Sequence, residues 1–397
     1  MPEPRIAGVR LAATAAGIRY QGRDDLVLLA FPPGTEAAAV FTTNAFCAAP
    51  VQLARAHLGH ASPRYLLINS GNANAGTGAR GLADAETCCT ALAAAAQCGP
   101  EQVLPFSTGV IGEYLPVERI TAALPGLLAG LREDGWEAAA RAIMTTDTRP
   151  KTALARGDLG GREATVVGMA KGAGMIRPDM ATMLAFLATD APVPAALLDE
   201  LLRVAVADTF NAISIDGDTS TNDACVLCAA GSLPGAPVQP GSAAAEALGV
   251  AIHQVCEELA TAIVRDGEGA TKLVNVEVVE AASAAEARAV ADTIAHSPLV
   301  KTALFASDPN WGRILAAVGR AGLDALDIEQ VRIWLDECLI VSNGGRDAGY
   351  TEAAGRTVMA QDSFRIRVAL GRGDAQARVM TCDLSYDYVR INAEYRT

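Results

Sequence analysis

The residues best suited to chemistry lie in one stretch, Lys171 to Asp190, where a polar loop runs into a short apolar segment. Gly172 and Gly174 allow positive backbone φ angles and close backbone approach, so the loop suits a bound ligand or a strained turn. The apolar run from Met183 to Leu187 is typical of a strand buried on both faces. Thr182 stands at the junction, where its hydroxyl could act as a nucleophile.

A threonine hydroxyl is a weak nucleophile until a base removes its proton. If the threonine is the first residue of a chain, its own α-amine can be that base, and such an amine has an ordinary pKa of about 7.7–8. For Thr182 this requires a cut between Ala181 and Thr182, and the small Ala181 side chain leaves the preceding carbonyl accessible. The local residues alone favour a plainer interpretation, a threonine that opens a strand, because β-branched residues commonly do so.

A second stretch with a chemical interpretation runs from Val103 to Gly112. It predicts a strand that ends at Thr108 and Gly109, where a hydroxyl and a nearly bare backbone N–H could point together. An oxyanion hole needs such preformed donors, about 2.7–3.1 Å from the developing negative oxygen. Ser-Thr-Gly is also a very common turn, which these residues alone favour.

Four further polar stretches are ambiguous. The Thr145–Thr148 cluster suits a cap or a polar substrate site, and the Asn- and Gly-rich loop 69–78 suits either a polar site or a self-satisfied turn. Glu268, between two glycines, has the pattern of a solvated loop carboxylate. The last residues, 388–397, would by default fray.

The run Lys-Gly-Ala-Gly-Met-Ile-x-Pro-x-Met-Ala-Thr-Met-Leu from Lys171 resembles the signature of the ornithine acetyltransferase family, the glutamate N-acetyltransferases of the cyclic arginine pathway. The Asp-Gly-Asp-Thr-Ser-Thr-Asn-Asp stretch at 216–223, the Asp-Pro-Asn-Trp-Gly-Arg run at 308–313 and the C-terminal residues also match. The resemblance covers the chain from the Asn44 region to Thr397, with several motifs in the expected order.

The resemblance implies a precursor that cuts itself between Ala181 and Thr182, after which Thr182 carries the acetyl group from N2-acetyl-L-ornithine to L-glutamate in arginine biosynthesis. The family contains members that also accept acetyl-CoA and members that do not, and no local signal separates them here. Family roles fall on these residues: Thr108 and Gly109 as the oxyanion hole, and Thr145, Lys171, Thr182, Glu268, Asn392 and Thr397 as substrate contacts, with Thr146 and Thr148 as alternatives to Thr145.

The resemblance also implies an α/β fold, an αββα four-layer sandwich of the DmpA/ornithine-acetyltransferase type. Residues 1–181 would form the α chain, with the oxyanion hole and substrate loops. Residues 182–397 would form the β chain, with the nucleophile and the C-terminal substrate-binding tail. Two of each chain would assemble into an α2β2 heterotetramer.

Composition narrows the function classes. The chain has 397 residues, 51% hydrophobic and 19% charged, which predicts a globular protein with a large core in two or more lobes. A net charge of −13 argues against a nucleic-acid partner, whereas a local basic site for small anionic substrates is compatible with it. We expect no membrane partner, because no run approaches the roughly 20 apolar residues of a span.

The nine cysteines and four histidines predict no metal site. Cys225 and Cys228 have no second pair or suitably spaced histidine, and their apolar run favours strand packing. An odd cysteine count and the lack of an export signal favour reduced thiols in the cytoplasm. We expect no bound cofactor, since no phosphate-cradling or dinucleotide motif is present, but acetyl-CoA as a co-substrate does not need one.

Two other function classes remain open from the sequence. One is a self-cleaving threonine amidase or aminopeptidase, in which water replaces glutamate as acceptor. The other is a non-enzymatic ligand-binding protein.

Periodicity and turn signals also predict elements that the fold can test. We expect a helical region from Leu115 to Leu131 broken at Pro125, a strand from Val331 to Val341, and a strand that ends near Leu304. We also expect a long helix from Ala243 to Val264.

Overall fold

The computed structural model describes residues 4–177 and 183–394. The chain divides into two compact units. The first contains the described residues up to Asn211 together with Asp218–Ile263, and the second contains Ala212–Gly217 and the described residues from Val264 onward. Ala181, Thr182 and Thr397 lie outside the described residues.

The strands are β1 Arg10–Thr14, β2 Leu26–Ala30, β3 Glu36–Phe41, β4 Tyr65–Asn72, β5 Val103–Val110, β6 Lys151–Asp158, β7 Glu163–Lys171, β8 Leu184–Thr189, β9 Ile213–Ser214, β10 Ala224–Ala229, β11 Leu273–Ala281, β12 Arg332–Leu335, β13 Cys338–Ser342, β14 Gly345–Arg346, β15 Ser363–Ala369 and β16 Ala375–Cys382. The α-helices are α1 Ala49–Leu58, α2 Gly78–Ala96, α3 Val117–Ala129, α4 Trp136–Ala142, α5 Ala195–Asp208, α6 Ala243–Arg265, α7 Ala284–Ala295, α8 Pro298–Phe305, α9 Trp311–Gly319, α10 Glu352–Met359 and α11 Tyr386–Glu394.

The first unit contains two sheets, a four-stranded sheet in the order β1-β2-β4-β5 and a five-stranded sheet in the order β3-β10-β8-β7-β6. Every residue of β4, β8 and β10 is buried. Strands covered on both faces carry near-continuous apolar runs rather than alternating ones. The sequence predicted this for the run that contains β8, and the structure confirms it.

The two sheets of the first unit pack face to face. Phe106 of β5 and Phe186 of β8 meet edge to face, with ring centroids 5.0 Å apart, inside one buried cluster that draws on both sheets. Helices α2 and α3 cover the other face of the four-stranded sheet. Helix α6 lies so close to the five-stranded sheet that a Cβ on Gly168 would be 2.7 Å from Val255. The first unit therefore has the αββα layering, and the α/β fold class is confirmed.

The second unit is built on a seven-stranded sheet in the order β14-β13-β12-β15-β11-β16-β9. Its core combines the strands with apolar side chains of α7, α8, α9 and α10. Strand β11 lies between β15, to which it is parallel, and β16, to which it is antiparallel. The end of β16 and the residues before β11 therefore lie side by side.

The predicted boundary between an α chain of residues 1–181 and a β chain of residues 182–397 falls between β7 and β8, two neighbouring strands of the five-stranded sheet. Strand β8 pairs with β7, from Leu184 opposite Lys171 to Thr189 opposite Val166. Strand β10 likewise pairs with β3. Because strands from both segments share one hydrogen-bonded sheet, a cut between them would leave the two chains held together.

Helix α3 corrects the predicted break at Pro125. It runs without interruption from Val117 to Ala129 with Pro125 inside, although an interior proline costs a helix about 3 kcal/mol. Ile120, Leu124 and Leu127 of this helix are buried against the four-stranded sheet. Burial of an apolar stripe along the whole helix outweighs the local cost.

Two strand predictions in the second unit are wrong. The segment from Val331 to Val341 is a hairpin of β12 and β13, which turns at Asp336 with a positive φ of 49°. The residues that lead to Leu304 form helix α8. Its start is encoded locally, because Ser297 accepts a hydrogen bond from the Val300 amide and Pro298 occupies the first turn.

Helix α6 is long and apolar enough to cross a membrane by length and composition alone, which the sequence did not lead us to expect. Half of its most apolar window is buried inside the structure, and Val255 and Leu259 face Gly168 of β7. Its packing is that of a core helix.

Candidate active site

Thr108 and Gly109 lie at the end of β5, where its pairing with β4 becomes irregular. Gly109 has a φ of 133°, and a Cβ on it would be 2.3 Å from the carbonyl carbon of Gly71. Only glycine fits so close to a neighbouring backbone. Asn72 opposes both Thr108 and Val110, so the ladder shifts here. The predicted oxyanion pair thus stands where regular strand pairing ends.

The Asn- and Gly-rich stretch 69–78 begins inside β4 and uses its amide side chains to hold its own and neighbouring backbone, so the structure favours the self-satisfied turn. The Asn69 amide donates to the Asn72 carbonyl at 2.8 Å, and the Ser107 hydroxyl donates to Asn69 Oδ1 at 2.6 Å. The Asn74 amide donates to the carbonyl of Gly81 at 2.8 Å. These bonds fix the backbone beside Thr108.

Asn222 ties this loop to the start of β10. Its amide donates to the Ala73 carbonyl at 2.6 Å and to the Ser107 carbonyl at 3.0 Å. The second carbonyl belongs to the residue before Thr108. Asn222 therefore holds the predicted oxyanion strand to the stretch that precedes β10, a role that the sequence left open.

Asp147 is the centre of a buried network that we call the Asp147 network. Its carboxylate accepts hydrogen bonds from the Lys151 ammonium at 2.6 Å, the Gly172 amide at 2.7 Å and the Thr145 amide at 3.0 Å. The side chains of Asp147 and Lys151 have no exposed surface. The network therefore joins the predicted substrate residue Thr145 to the loop that follows Lys171.

The electrostatics of Asp147 favour its charged form. Burial by itself would raise the pKa of this carboxyl, but the charges of Lys151 and Lys171 and the hydrogen bonds from Lys151 and Gly172 hold that pKa below its ordinary value. The site thus contains a fixed negative charge between two lysines, and Lys171 lies at the edge of this group.

Lys171 and Asp223 flank the start of β8. Leu184 pairs with Lys171 on one side and with Ala224 on the other, and the Ala224 amide donates to the Met183 carbonyl at 3.0 Å. Met183 is bonded to Thr182, which lies outside the described residues. The registers therefore direct a cation and a carboxyl to the two sides of the segment that begins β8.

Asp223 differs from Asp147 because its burial is less well compensated. Burial raises the pKa of Asp223 well above its ordinary value, and hydrogen bonds from Ser220 and Met183 and the charge of Lys171 oppose the shift only in part. Its Oδ2 has no hydrogen-bond partner in the part of the chain that the structure describes. The surroundings of Asp223 therefore favour the neutral, protonated form of its carboxyl group.

In the second unit, Glu268 and Asn392 are brought together. The Asn392 amide donates to Glu268 Oε2 at 2.7 Å and to the Tyr388 carbonyl at 3.0 Å. Glu268 is buried rather than solvated. Gly269 follows it with a φ of 69°, and a Cβ there would be 2.6 Å from Ser385 Oγ. Helix α11, not a frayed tail, carries Asn392.

The structure places six of the nine predicted site residues, and Ala181, Thr182 and Thr397 lie outside the described residues. Thr108, Gly109, Thr145 and Lys171 belong to the first unit, and Glu268 and Asn392 belong to the second. Among the described residues, no group of three or more His, Cys, Asp or Glu side chains is placed to hold a metal ion. Cys225 and Cys228 are buried in β10, and burial raises both thiol pKa values.

Sequence reasoning missed Asp147, Asn222 and Asp223 as supporting residues. The sequence did contain an indication of a role for Asp147, since it is the one carboxylate among the hydroxyl residues of the Thr145–Thr148 cluster. Asp223 also carried one, as a carboxylate directly before an entirely apolar strand. Neither signal identifies the partners, which come from other parts of the chain.

Comparison with known proteins gives a consistent result over the whole chain. A family model described as the ArgJ family matches residues 10–397. The chain is 64% identical to the arginine biosynthesis bifunctional protein ArgJ of Methylococcus capsulatus over 99% of this chain and 96% of that protein. It is 54% identical to the protein of the same name from Pseudomonas fluorescens over 99% of this chain and 97% of that protein.

A solved structure also matches. The crystal structure of the arginine biosynthesis bifunctional protein ArgJ from Bacillus halodurans is 39% identical, with a TM-score of 0.51. The match covers 53% of this chain and 98% of that chain.

The Asp147 network generates a stability prediction. Asp147→Asn leaves the buried Lys151 ammonium without its anion, and breaking a buried ion pair in this way costs about 3–5 kcal/mol. We expect a correspondingly lower free energy of unfolding in urea at neutral pH. Because the folded pKa of Asp147 is lowered, its contribution is present above the ordinary carboxylate pKa and is lost as pH falls through the folded value. The difference from wild type should therefore shrink in acid.

Asp199→Asn is the matched control, because Asp199 pairs with Arg203 at 2.7 Å on the surface. Exposed pairs contribute about 0–1 kcal/mol. If Asp147→Asn costs no more than this control, the Asp147 network does not organise the site.

Proposed function

The chain belongs to the ArgJ family, and from this membership we propose how its residues carry out acetyl transfer in arginine biosynthesis. It is a bifunctional acyltransferase that moves the acetyl group of N2-acetyl-L-ornithine to L-glutamate and also acetylates glutamate from acetyl-CoA. The match of the family model to residues 10–397, together with 64% identity to a bifunctional ArgJ protein over 99% of this chain, carries this conclusion.

The first step of the proposed mechanism is self-cleavage between Ala181 and Thr182. The hydroxyl of Thr182 attacks the carbonyl of Ala181, the peptide C–N bond breaks to give an ester with a free Thr182 amine, and water then hydrolyses the ester to release the Ala181 carboxylate and restore the hydroxyl. Support comes from the Bacillus halodurans chain, which is matched almost completely by slightly more than half of this chain. The proposed β chain, residues 182–397, is a segment of about that length. The pairing of β8 with β7 keeps the two products together.

In the transfer step, the Thr182 amine takes the proton of the Thr182 hydroxyl, directly or through water. The oxygen attacks the acetyl carbonyl, Thr108 and the Gly109 amide stabilise the oxyanion, and ornithine leaves with a proton. The amine of glutamate then attacks the acetyl-threonine ester. This second attack forms N-acetyl-L-glutamate and restores the hydroxyl, so the exchange is ping-pong.

Substrate contacts follow from charge. The Lys171 ammonium suits the carboxylate of either amino acid, and the Asp147 network holds the loop after Lys171 in place. Glu268 suits an α-ammonium group, and its bond to Asn392 orients its carboxylate. Thr145 and Thr397 complete the proposed set of contacts. We further propose an α2β2 heterotetramer in the cytoplasm.

Thr182→Ala removes the nucleophile of both steps, so the variant should remain one uncut chain without acetyl transfer. The wild type should give two pieces that meet at Ala181 and Thr182. Intact mass under denaturing conditions and an acetyl-transfer assay measure these outcomes. Thr182→Ser keeps a hydroxyl and should still be cut. Cleavage of the alanine variant, or a single chain in the wild type, would rule out the self-made nucleophile.

Thr108→Val keeps the side-chain shape and removes the hydroxyl. Loss of one oxyanion donor lowers kcat by about 10²–10³, and we expect this fall with N-acetylornithine as donor. Thr87→Val is the control, since Thr87 is exposed on α2 and its hydroxyl donates to the Ala83 carbonyl of the same helix. Rates should be measured on fully cleaved protein. An unchanged kcat for Thr108→Val would remove Thr108 from the mechanism.

The proposed function and a threonine amidase differ in the acceptor of the acetyl group, which is glutamate in the first and water in the second. With glutamate present, we expect ornithine and N-acetylglutamate in equal amounts. Without glutamate, release should stop after a burst of about one equivalent of ornithine per site, because the acetyl group stays on the enzyme. Mass spectrometry and amino-acid analysis measure both results. Steady release of acetate without glutamate would support the amidase instead.

A further inference from the structure

A cavity of about 790 Å³ in the first unit has no role in the mechanism above. Ten residues line it, and three of them are arginines, Arg23, Arg132 and Arg141. The whole chain has only 32 lysines and arginines in 397 residues and a net charge of −13. The lining also contains two carboxylates, Asp24 and Glu137. The lining residues themselves therefore carry one more positive than negative charge, on a protein that is acidic as a whole.

Two of these arginines can turn toward a ligand at little cost. Arg132 pairs with Asp134 at 3.3 Å and Arg141 pairs with Glu137 at 3.0 Å. Their side chains are 62% and 65% exposed, and such exposed pairs contribute little stability. A multiply charged anion can therefore compete for both guanidinium groups.

The third arginine is held in place. Arg23 donates to the Met144 carbonyl, and its guanidinium lies 5.1 Å from the centre of the Tyr20 ring. Arg23 thus offers a guanidinium in a fixed position, and Arg132 and Arg141 offer two that can move. Together they provide paired N–H donors whose geometry matches phosphate oxygens.

The wall of the cavity is continuous with the proposed active site. Met144 lines the cavity and immediately precedes Thr145. Ala142 also lines it, and its carbonyl accepts a hydrogen bond from the Ser70 hydroxyl at 2.7 Å. Ser70 stands opposite Thr108 in the pairing of β4 with β5. A ligand in this cavity therefore lies next to the elements that hold the oxyanion residue and one substrate residue.

We propose that this cavity binds the phosphate groups of acetyl-CoA, the second acetyl donor. The inference rests on the proposed function, because it names the place where that donor is held. N-acetylornithine carries no phosphate, so the ornithine reaction has no use for three arginines here. The pantetheine arm separates the phosphates of CoA from its thioester, which allows binding beside the acetyl site rather than in it.

The test compares three acetyl donors in one variant. Arg132→Gln combined with Arg141→Gln removes the adaptable guanidinium groups and leaves Arg23, which supports the Met144 backbone. Loss of charge-assisted contacts to phosphate should raise the KM for acetyl-CoA about tenfold. The kinetics with S-acetylpantetheine, which has no phosphate, and with N-acetylornithine should not change. The wild-type KM for acetyl-CoA should also rise with salt, and less so in the variant.

Arg156→Gln combined with Arg203→Gln is the matched control. Both arginines lie in the same unit, are exposed and pair with surface carboxylates at 2.8 and 2.7 Å. The control variant should use acetyl-CoA as the wild type does. Titration of CoA alone, followed by calorimetry, gives a readout that requires no acetyl transfer, and its dissociation constant should weaken about tenfold only in the cavity variant.

Several outcomes would overturn the proposal. An unchanged KM for acetyl-CoA, an equal loss with S-acetylpantetheine, or an equal loss in the control variant would each show that the cavity does not hold the phosphates. A wild-type protein that uses N-acetylornithine but neither uses nor binds CoA would do the same while the ornithine reaction stands. If instead the Thr182 mechanism is wrong, CoA should still bind, and its binding should still depend on Arg132 and Arg141.

Discussion

The buried ion pair between Asp147 and Lys151 is the interaction on which the first unit's site depends. Two charges without exposed surface are costly unless their geometry is good and their remaining hydrogen bonds are made. Asp147 meets this condition only because the Gly172 and Thr145 amides also donate to it. The same bonds that offset the cost of burial thus bring two predicted substrate segments to one point.

The five-stranded sheet adds the second constraint. Its registers place Lys171 and Ala224 on either side of Leu184. A slip of one residue would move every side chain of a strand to the opposite face of the sheet, so the start of β8 has a defined neighbourhood.

The second unit also holds a predicted site residue in place through hydrogen bonds made by neighbouring residues. Asp383, at the end of β16, accepts hydrogen bonds from the amides of Thr271 and Lys272, which lie shortly after Glu268. Helix α11 then returns Asn392 to the Glu268 carboxylate. The orientation of the Glu268 carboxylate thus rests on Asn392 and on backbone anchors several residues away.

The sequence by itself determined the buried strands β8 and β10, because continuous apolar runs are a local property. Its short motifs identified the family, and the fold class followed from that resemblance. It also pointed to Thr108 and Gly109 as a site. Local patterns failed at Pro125 and at the β12 hairpin, where packing or a turn residue outweighed propensity.

Only the tertiary structure decided which polar groups support the site. Asp147 and Gly172 are 25 residues apart, and Asn222 and Ser107 are 115 residues apart. The cavity arginines come from two segments far apart in the chain, one with Arg23 and one with Arg132 and Arg141, and show no spacing that a motif would record. A hydrogen bond depends on distance in space, and distance along the chain does not contain that information until the sheets have paired.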